Sequence, residues 1–146
     1  MKQRTRARSL ALQVLYEVDL SNHLPGQVLK ERLADVPLTE TLADFTRRIV
    51  FGVHPLTESL DNAIAKYAPD WPLEQIAPID RNILRIAFWE FAIDKQTPVK
   101  VAINEAVELA KLFGSDAAPG FVNGVLGSLA KHQNEIFQAI QKEIEA

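Results

Sequence analysis

The sequence contains no cysteine among its 146 residues. Disulfides, thiolate nucleophiles and cysteine-based metal sites are therefore excluded, and a reducing, cytoplasmic setting is expected. No apolar run approaches the roughly 18 residues that a membrane-spanning helix needs, and no signal-peptide pattern is present. The composition predicts a protein that neither crosses a membrane nor is exported.

Motifs for catalysis and for metal binding are also missing. The three histidines, His23, His54 and His132, stand far apart, without partners at ligand spacing. There is no His-Glu-x-x-His, no Gly-x-Ser-x-Gly and no phosphate loop ending in Gly-Lys-Ser/Thr. We expect no metal and no cofactor, and the pattern favours a binding module over an enzyme.

Charge is distributed unevenly along the chain. The net charge is −3, yet the first eight residues contain only basic charges. These are Lys2, Arg4, Arg6 and Arg8. Cations in the first turn of a helix oppose the helix dipole, so four of them there indicate a role outside folding. A basic segment on an acidic body predicts a local anionic partner.

Helical periodicity runs through the whole sequence, and no strand pattern competes with it. We therefore predict an all-α protein with a single domain over residues 1–146. The first helix is predicted from Arg4 to Leu20, with Arg6 pointing away from its apolar face. Tyr16 lies roughly opposite that face, either packed on another helix or presented to a partner.

The longest apolar stripe extends from Leu38 to Tyr67 and keeps its phase across Pro55. An interior proline loses one backbone hydrogen bond and clashes with the preceding turn. Because the phase is kept, the sequence favours one long helix kinked at Pro55 over two separate helices.

A helix over residues 79–93 is apolar around most of its circumference and is predicted to be the most buried. Glu90 falls within its apolar arc, so we expect a structural hydrogen-bonding partner for this carboxylate. Asp80 and Glu74 lie at or before the helix start, where capping or complementing the helix dipole would explain them.

The next helix has a start and a stop signal in its sequence. Thr97 is expected to cap it, Pro98 to occupy its first position, and Gly114 to close it in the left-handed conformation. A further helix begins near Phe121, which lies off the apolar stripe and serves either packing or binding. Close approach of another backbone would explain the helical glycines Gly124 and Gly127.

Four stretches together resemble the NusB family of bacterial transcription antitermination factors. The first is Arg6-x-Arg8 with Ala11, Leu15 and Tyr16, and the second runs from Asp80 through Arg85 to Glu90. The other two are Val101–Lys111 with Phe113-Gly114, and Phe121–Leu126. The resemblance extends to about Lys131, and residues 132–146 are expected to form a helical C-terminal extension.

The resemblance implies a NusB-type fold of two packed helical bundles with about seven helices. It also implies a non-enzymatic function in transcription antitermination. The protein would pair with the ribosomal protein NusE, bind the boxA element of nascent RNA, notably ribosomal RNA, and join the RNA polymerase antitermination complex. A monomer and a homodimer both remain open.

The resemblance further implies two sets of site residues. The residues facing RNA would be Lys2, Arg4, Arg6, Arg8, Phe121 and Asn123, and those facing the protein partner would be Tyr16, Glu74 and Asp80. Two alternatives stand beside this function. One is an RNA-binding module related to the N-terminal domain of RNA cytosine methyltransferases, and the other is an adaptor that binds protein only.

Overall fold

A computed structural model describes residues 1–70 and 72–145 of the chain, and within them all regular structure is helical. The prediction of an all-α protein is confirmed. The chain divides into two compact units, residues 1–55 and residues 56–146. The first holds α1 (Gln3–Leu20), α2 (Pro25–Asp35) and α3 (Glu40–Val53); the second holds α4 (Thr57–Tyr67), α5 (Pro78–Phe88), α6 (Val99–Phe113), α7 (Ala118–Ala130) and α8 (Gln133–Glu145).

The first unit is built on α1, which packs against both α2 and α3. Its start and end agree with the predicted helix to within one residue. The buried Thr46 hydroxyl of α3 donates a hydrogen bond to the Ala7 carbonyl of α1 at 3.1 Å. On the other side, the Arg32 guanidinium of α2 donates to Gln13 and Glu17 of α1, both at 3.0 Å. Side-chain hydrogen bonds therefore fix both neighbours on α1.

The second unit is centred on α5, which contacts α4, α6 and α7. Ile83, Leu84, Ile86 and Phe88 of α5 are all fully buried, as predicted for the central helix. Arg85 of α5 binds both carboxylate oxygens of Asp61 on α4, at 2.7 and 2.6 Å. This paired geometry gives the buried guanidinium a counter-charge.

The prediction of one kinked helix through Pro55 is wrong. The helix α3 ends at Val53, a 3₁₀ turn covers His54–Leu56, and α4 begins at Thr57. Proline has no N–H to donate to the carbonyl four residues earlier, so the α-helical ladder stops at this position. The apolar phase on either side of Pro55 reflects two helices that each bury one face.

The predicted capping at both ends of α6 is also wrong. Pro98 occupies the N-cap position, and Thr97 donates its hydroxyl to the buried Glu90 carboxylate at 3.1 Å instead of capping the helix. This contact supplies the structural partner expected for Glu90. At the other end, Gly114 has an extended backbone with φ −94° and ψ −178°, not a left-handed one.

Close neighbours explain the glycine at position 114 instead. A Cβ atom there would lie 2.5 Å from the Ala118 Cβ and 3.0 Å from both the Ala110 carbonyl oxygen and Asp80 Oδ1. Gly127 was expected to have such a neighbour, but apart from its chain neighbours and the nearby backbone of its own helix no described atom lies within 4 Å of its Cβ position. Of Gly114 and Gly127, only Gly114 stands where the side chain of any other residue would clash with its neighbours.

The C-terminal helix α8 lies within the segment expected to be a helical extension. Its Ile136 and Ile140 are buried, and the Lys95 ammonium lies 3.7 Å from the centroid of the Phe137 ring. Lys95 itself follows a π-helical turn, Trp89–Asp94, that continues α5. Apolar burial and a cation–π contact therefore hold α8 in the second unit.

Candidate nucleic-acid interface

The basic residues of α1 do not form one continuous arm. The guanidinium carbons of Arg4 and Arg8 lie 4.6 and 5.0 Å from the centroid of the Phe45 ring on α3. Residues four apart share a helix face, which brings these two arginines to the same ring. Arg4 is exposed, whereas Arg8 is only 3% exposed. Of these two side chains, Arg4 is the one presented at the surface.

Arg6 lies on a different side of α1. It is exposed and borders a pocket of about 320 Å³ that is also lined by Met1, Ser9, Leu10, Gln13 and Val36. Lys2 occupies the N-cap position and contributes its carbonyl, which accepts the Arg6 amide at 2.9 Å. The four predicted cations thus surround the first turns of α1.

The start of α1 lacks the features that stabilise a helix N-terminus. Its first turn has no acidic residue, and the side chain at the N-cap position forms no capping hydrogen bond. Charges at a helix end change its stability by about 0.3–1 kcal/mol each at low ionic strength, and cations at the N-terminus act unfavourably. Binding of an anion gives a reason for this arrangement that helix stability does not.

A third arginine, Arg48, completes the surroundings of the Phe45 ring. Its guanidinium carbon lies 5.3 Å from the ring centroid, and its side chain is exposed. Phe45 lies in the apolar stripe predicted from Leu38 to Tyr67, and no role was predicted for Arg48. Spacing along α3 alone does not reveal that α1 brings two further arginines to the same ring.

In the second unit, Phe121 and Asp80 line one pocket of about 390 Å³, together with Asp70, Pro72, Gln75, Ile76, Ala77, Ser115, Ala117 and Ala118. Phe121 lies in the first turn of α7 and is half-buried. The resemblance assigned Phe121 to RNA and Asp80 to a protein partner. The structure brings these two predicted site residues to the same cavity.

Asp80 is a buried carboxylate, only 8% exposed. Its Oδ1 atom has no hydrogen-bond partner among the described residues, and burial raises the pKa of the Asp80 carboxyl. Loss of hydration disfavours the charged form of such a group. Asp80 is consequently a poor match for a freely exposed acidic contact.

The other predicted residues are at the surface of their own units. Tyr16 on α1 is 36% exposed, Glu74 is exposed in a short 3₁₀ turn, and Asn123 is exposed on α7. These positions are compatible with the predicted contacts, and their roles stay predictions.

Within residues 1–70 and 72–145, no group of three or more acidic or histidine side chains could hold a metal ion. In the same residues, no helix combines the length and the apolar character that crossing a membrane requires.

The sequence model of the NusB family matches residues 5–131 of the chain. The chain belongs to the NusB family. The predicted resemblance is therefore confirmed, and the match includes the basic start of α1 from Thr5 onward as well as α7.

Curated NusB sequences extend the similarity over nearly the whole chain. The transcription antitermination protein NusB of Chloroflexus aggregans is 50% identical over 129 residues, which cover 87% of this chain and 86% of that relative. The alignment therefore covers most of this chain and most of that antitermination protein.

Solved NusB structures share the fold. NusB of T. maritima aligns with a TM-score of 0.82 at 30% identity, covering 92% of this chain and 96% of that one. A NusB chain solved with NusE and double-stranded RNA aligns with a TM-score of 0.82 at 27% identity, covering 90% and 98%. The predicted NusB-type fold is confirmed.

Proposed function

We propose that this chain is a transcription antitermination factor that pairs with the ribosomal protein NusE and binds boxA RNA in nascent transcripts, notably those of ribosomal RNA. The observation that carries the proposal is membership of the NusB family, with 50% identity to an antitermination protein over 87% of the chain. It acts in the cytoplasm as a binding protein, without catalysis.

The RNA side of the proposal rests on α1. Arg4 and Arg6 are exposed at its start, and Lys2 precedes them. Arginine and lysine side chains neutralise backbone phosphates and release the counterions condensed on the RNA, which makes the affinity fall as salt rises. This chemistry accounts for basic charge concentrated on an otherwise acidic chain with a pI of about 5.6.

Base recognition is assigned to the second unit. Phe121 presents part of its ring at the start of α7, and Asn123 is exposed two residues later. Single-stranded RNA is read by stacking of unpaired bases on aromatic rings and by hydrogen bonds to base edges. The half-buried ring and the exposed amide, both in the first half of α7, are assigned one kind of contact each.

The protein side of the proposal uses Tyr16, Glu74 and Asp80. Tyr16 and Glu74 are accessible, and an acidic surface complements a basic ribosomal protein by speeding association and fixing register. Asp80 contributes less as an open charge, since it is buried. Partner contact at Asp80 would require its neighbours in the pocket to move or the partner to enter the pocket.

Filter binding with boxA RNA and a scrambled RNA of equal length, with and without NusE, tests the function. We expect boxA to bind more tightly than the scrambled RNA, and NusE to increase that preference. Equal binding of both RNAs under both conditions would refute boxA recognition, and no binding of either RNA would leave the protein-only adaptor. The relatives reported above are antitermination proteins, which favours this function over that of a methyltransferase module.

A further inference from the structure

A cavity of about 320 Å³ lies beside the first turns of α1, within the first unit. It is lined by Met1, Arg6, Ser9, Leu10, Gln13 and Val36. Leu10 is buried in α1, and Val36 directly follows α2 and is half-buried. These two side chains give the cavity apolar walls, whereas Arg6, Ser9 and Gln13 bring polar groups to it.

Arg6 supplies a positive charge at this cavity. Its side chain is exposed, and within residues 1–70 and 72–145 it forms no ion pair with a carboxylate. Arg32 on α2 differs, because it pairs with Glu17 at 3.0 Å. A cation without a counter-charge favours an anionic ligand beside it.

Ser9 and Gln13 hold hydrogen-bond donors that the described part of the protein leaves unused. Ser9 is only 6% exposed, and its Oγ accepts a long hydrogen bond from Gln13 Nε2 at 3.4 Å. Neither the Ser9 hydroxyl proton nor the second N–H of Gln13 has an acceptor among the described residues. A buried donor is destabilising unless an acceptor reaches it. The cavity is therefore suited to a ligand that carries acceptors.

The orientation of the Gln13 amide is fixed from α2. Its Oε1 accepts from the Arg32 guanidinium at 3.0 Å, and Arg32 also donates to Glu17 at 3.0 Å. Because the amide oxygen faces the guanidinium, the donor end of the amide faces Ser9. The donors are thus held in place before a ligand arrives, which reduces the entropy lost on binding.

We propose that this cavity takes one unpaired nucleobase of the RNA. Arg6 binds a phosphate beside that nucleotide, and the base packs against Leu10 and Val36. Ser9 and Gln13 donate hydrogen bonds to carbonyl or ring-nitrogen acceptors on its edge. The proposal rests on the RNA-binding function given above, and it adds base recognition to a surface to which only phosphate contacts were assigned.

The chemistry of a nucleotide matches all three features of the cavity. A nucleobase has apolar faces and a polar edge, its phosphate is anionic, and unpaired bases are the part of single-stranded RNA that proteins read. An acidic side chain of a protein partner would satisfy Arg6 and the two donors as well. Such a side chain has no flat apolar part to cover Leu10 and Val36.

Filling the cavity tests the proposal. Val36→Phe enlarges an apolar wall without changing charge, and Val101→Phe makes the same change at an exposed valine of α6 as the matched control. Filter retention of the full chain with NusE present measures the affinity for intact boxA RNA. We expect Val36→Phe to bind about tenfold more weakly, as the loss of one packed base implies. Val101→Phe should bind like the parent.

A series of boxA RNAs that each lack one base distinguishes a base contact from a general loss of affinity. In the parent, the base that enters the cavity should cost about tenfold when it is removed. In Val36→Phe, removal of the same base should cost nothing further, because the contact is already lost. The slope of affinity against salt should stay at the parent value, since no charge has changed.

Ser9→Ala gives a second and milder variant. It removes only the hydroxyl, so we expect about fivefold weaker binding, again lost in the RNA that lacks the same base. Circular dichroism and thermal melting show whether each variant is folded. If Val36→Phe does not fold, Ser9→Ala and the series of RNAs decide the question.

Three results would overturn the inference. The first is parent-like binding of folded Val36→Phe, or of Ser9→Ala, and the second is an equal loss in Val101→Phe. The third is a loss that adds to the effect of base removal at every position of the RNA. If Val36→Phe weakens binding of NusE in the absence of RNA, measured by calorimetry, a protein side chain occupies the cavity and the inference is also overturned. Failure of the function itself looks different, because the parent then binds boxA and scrambled RNA equally.

Discussion

At the scale of single residues, the molecule holds buried polar groups with specific partners. Glu90 is 1% exposed and Thr97 is 9% exposed, and the Thr97 hydroxyl donates to the Glu90 carboxylate at 3.1 Å. A buried carboxylate loses its water, and a donor of this kind compensates for that loss. Thr97 therefore contributes to stability through Glu90, and not through the helix cap that its position suggests.

Replacing Thr97 with valine tests this contact. Thr97→Val keeps the branched shape but removes the hydroxyl, so we expect the free energy of unfolding to fall by about 1–3 kcal/mol. Thr97→Ser retains the hydroxyl and should be clearly less destabilising. Urea denaturation of both variants gives the comparison, and equal losses would indicate that the hydrogen bond is unimportant.

At the scale of helices and their connections, two glycines have opposite surroundings. Gly114 follows α6 with the Ala118 Cβ only 2.5 Å from where its own Cβ would be, so α6 and α7 meet closely there. Gly127 lies inside α7, and no described atom outside the nearby backbone of that helix and its two chain neighbours comes within 4 Å of its Cβ position. The same residue type is required by packing in one place and unfavourable to the helix in the other.

This contrast predicts opposite effects of alanine. Gly114→Ala should destabilise the protein by about 1–3 kcal/mol, because the added methyl group overpacks a closed contact. Gly127→Ala should raise stability by up to about 1 kcal/mol through the helix propensity of alanine. Thermal melting of the two variants measures both, and a stabilised Gly114→Ala would contradict the steric explanation.

The helices themselves were largely predictable from the sequence, whereas their ends were not. Apolar periodicity located α1 and the buried α5, because a helix that covers a core repeats its contacts every turn. The break at Pro55 and the extended Gly114 depend on what surrounds the backbone locally. Those surroundings are absent from a periodic pattern, which is why a kink and a left-handed glycine were expected instead.

At the scale of the whole molecule, charge is unevenly distributed, and we predict that RNA binding depends on where the basic charge lies and not on the net charge. The chain is acidic, with a net charge of −3, yet basic side chains are concentrated around α1 and the neighbouring surface of α3. The sequence indicated the first group through its spacing in the first eight residues. Arg48 could not be found in the same way, because only folding brings α3 to α1.

Two variants with the same total charge test this dependence on location. Arg6→Glu reverses an exposed charge of α1, and Lys142→Glu reverses an exposed charge of α8. We expect Arg6→Glu to weaken boxA binding and to flatten its salt dependence, because phosphate contacts set that slope. Lys142→Glu should change neither, as measured by filter binding across a salt series. Equal effects of the two would indicate that net charge alone governs the affinity.

The first of the two units ends within the 3₁₀ turn at Pro55, so the ribosome synthesises the whole of this unit before the second one. The first unit ends at Pro55, and the Phe45 ring and all three arginines around it lie before that residue. Folding units form successively as a chain leaves the ribosome, with the N-terminal unit first. Phe45 and the three arginines around it are therefore all synthesised before Asp70, the first residue of those that line the pocket at Phe121.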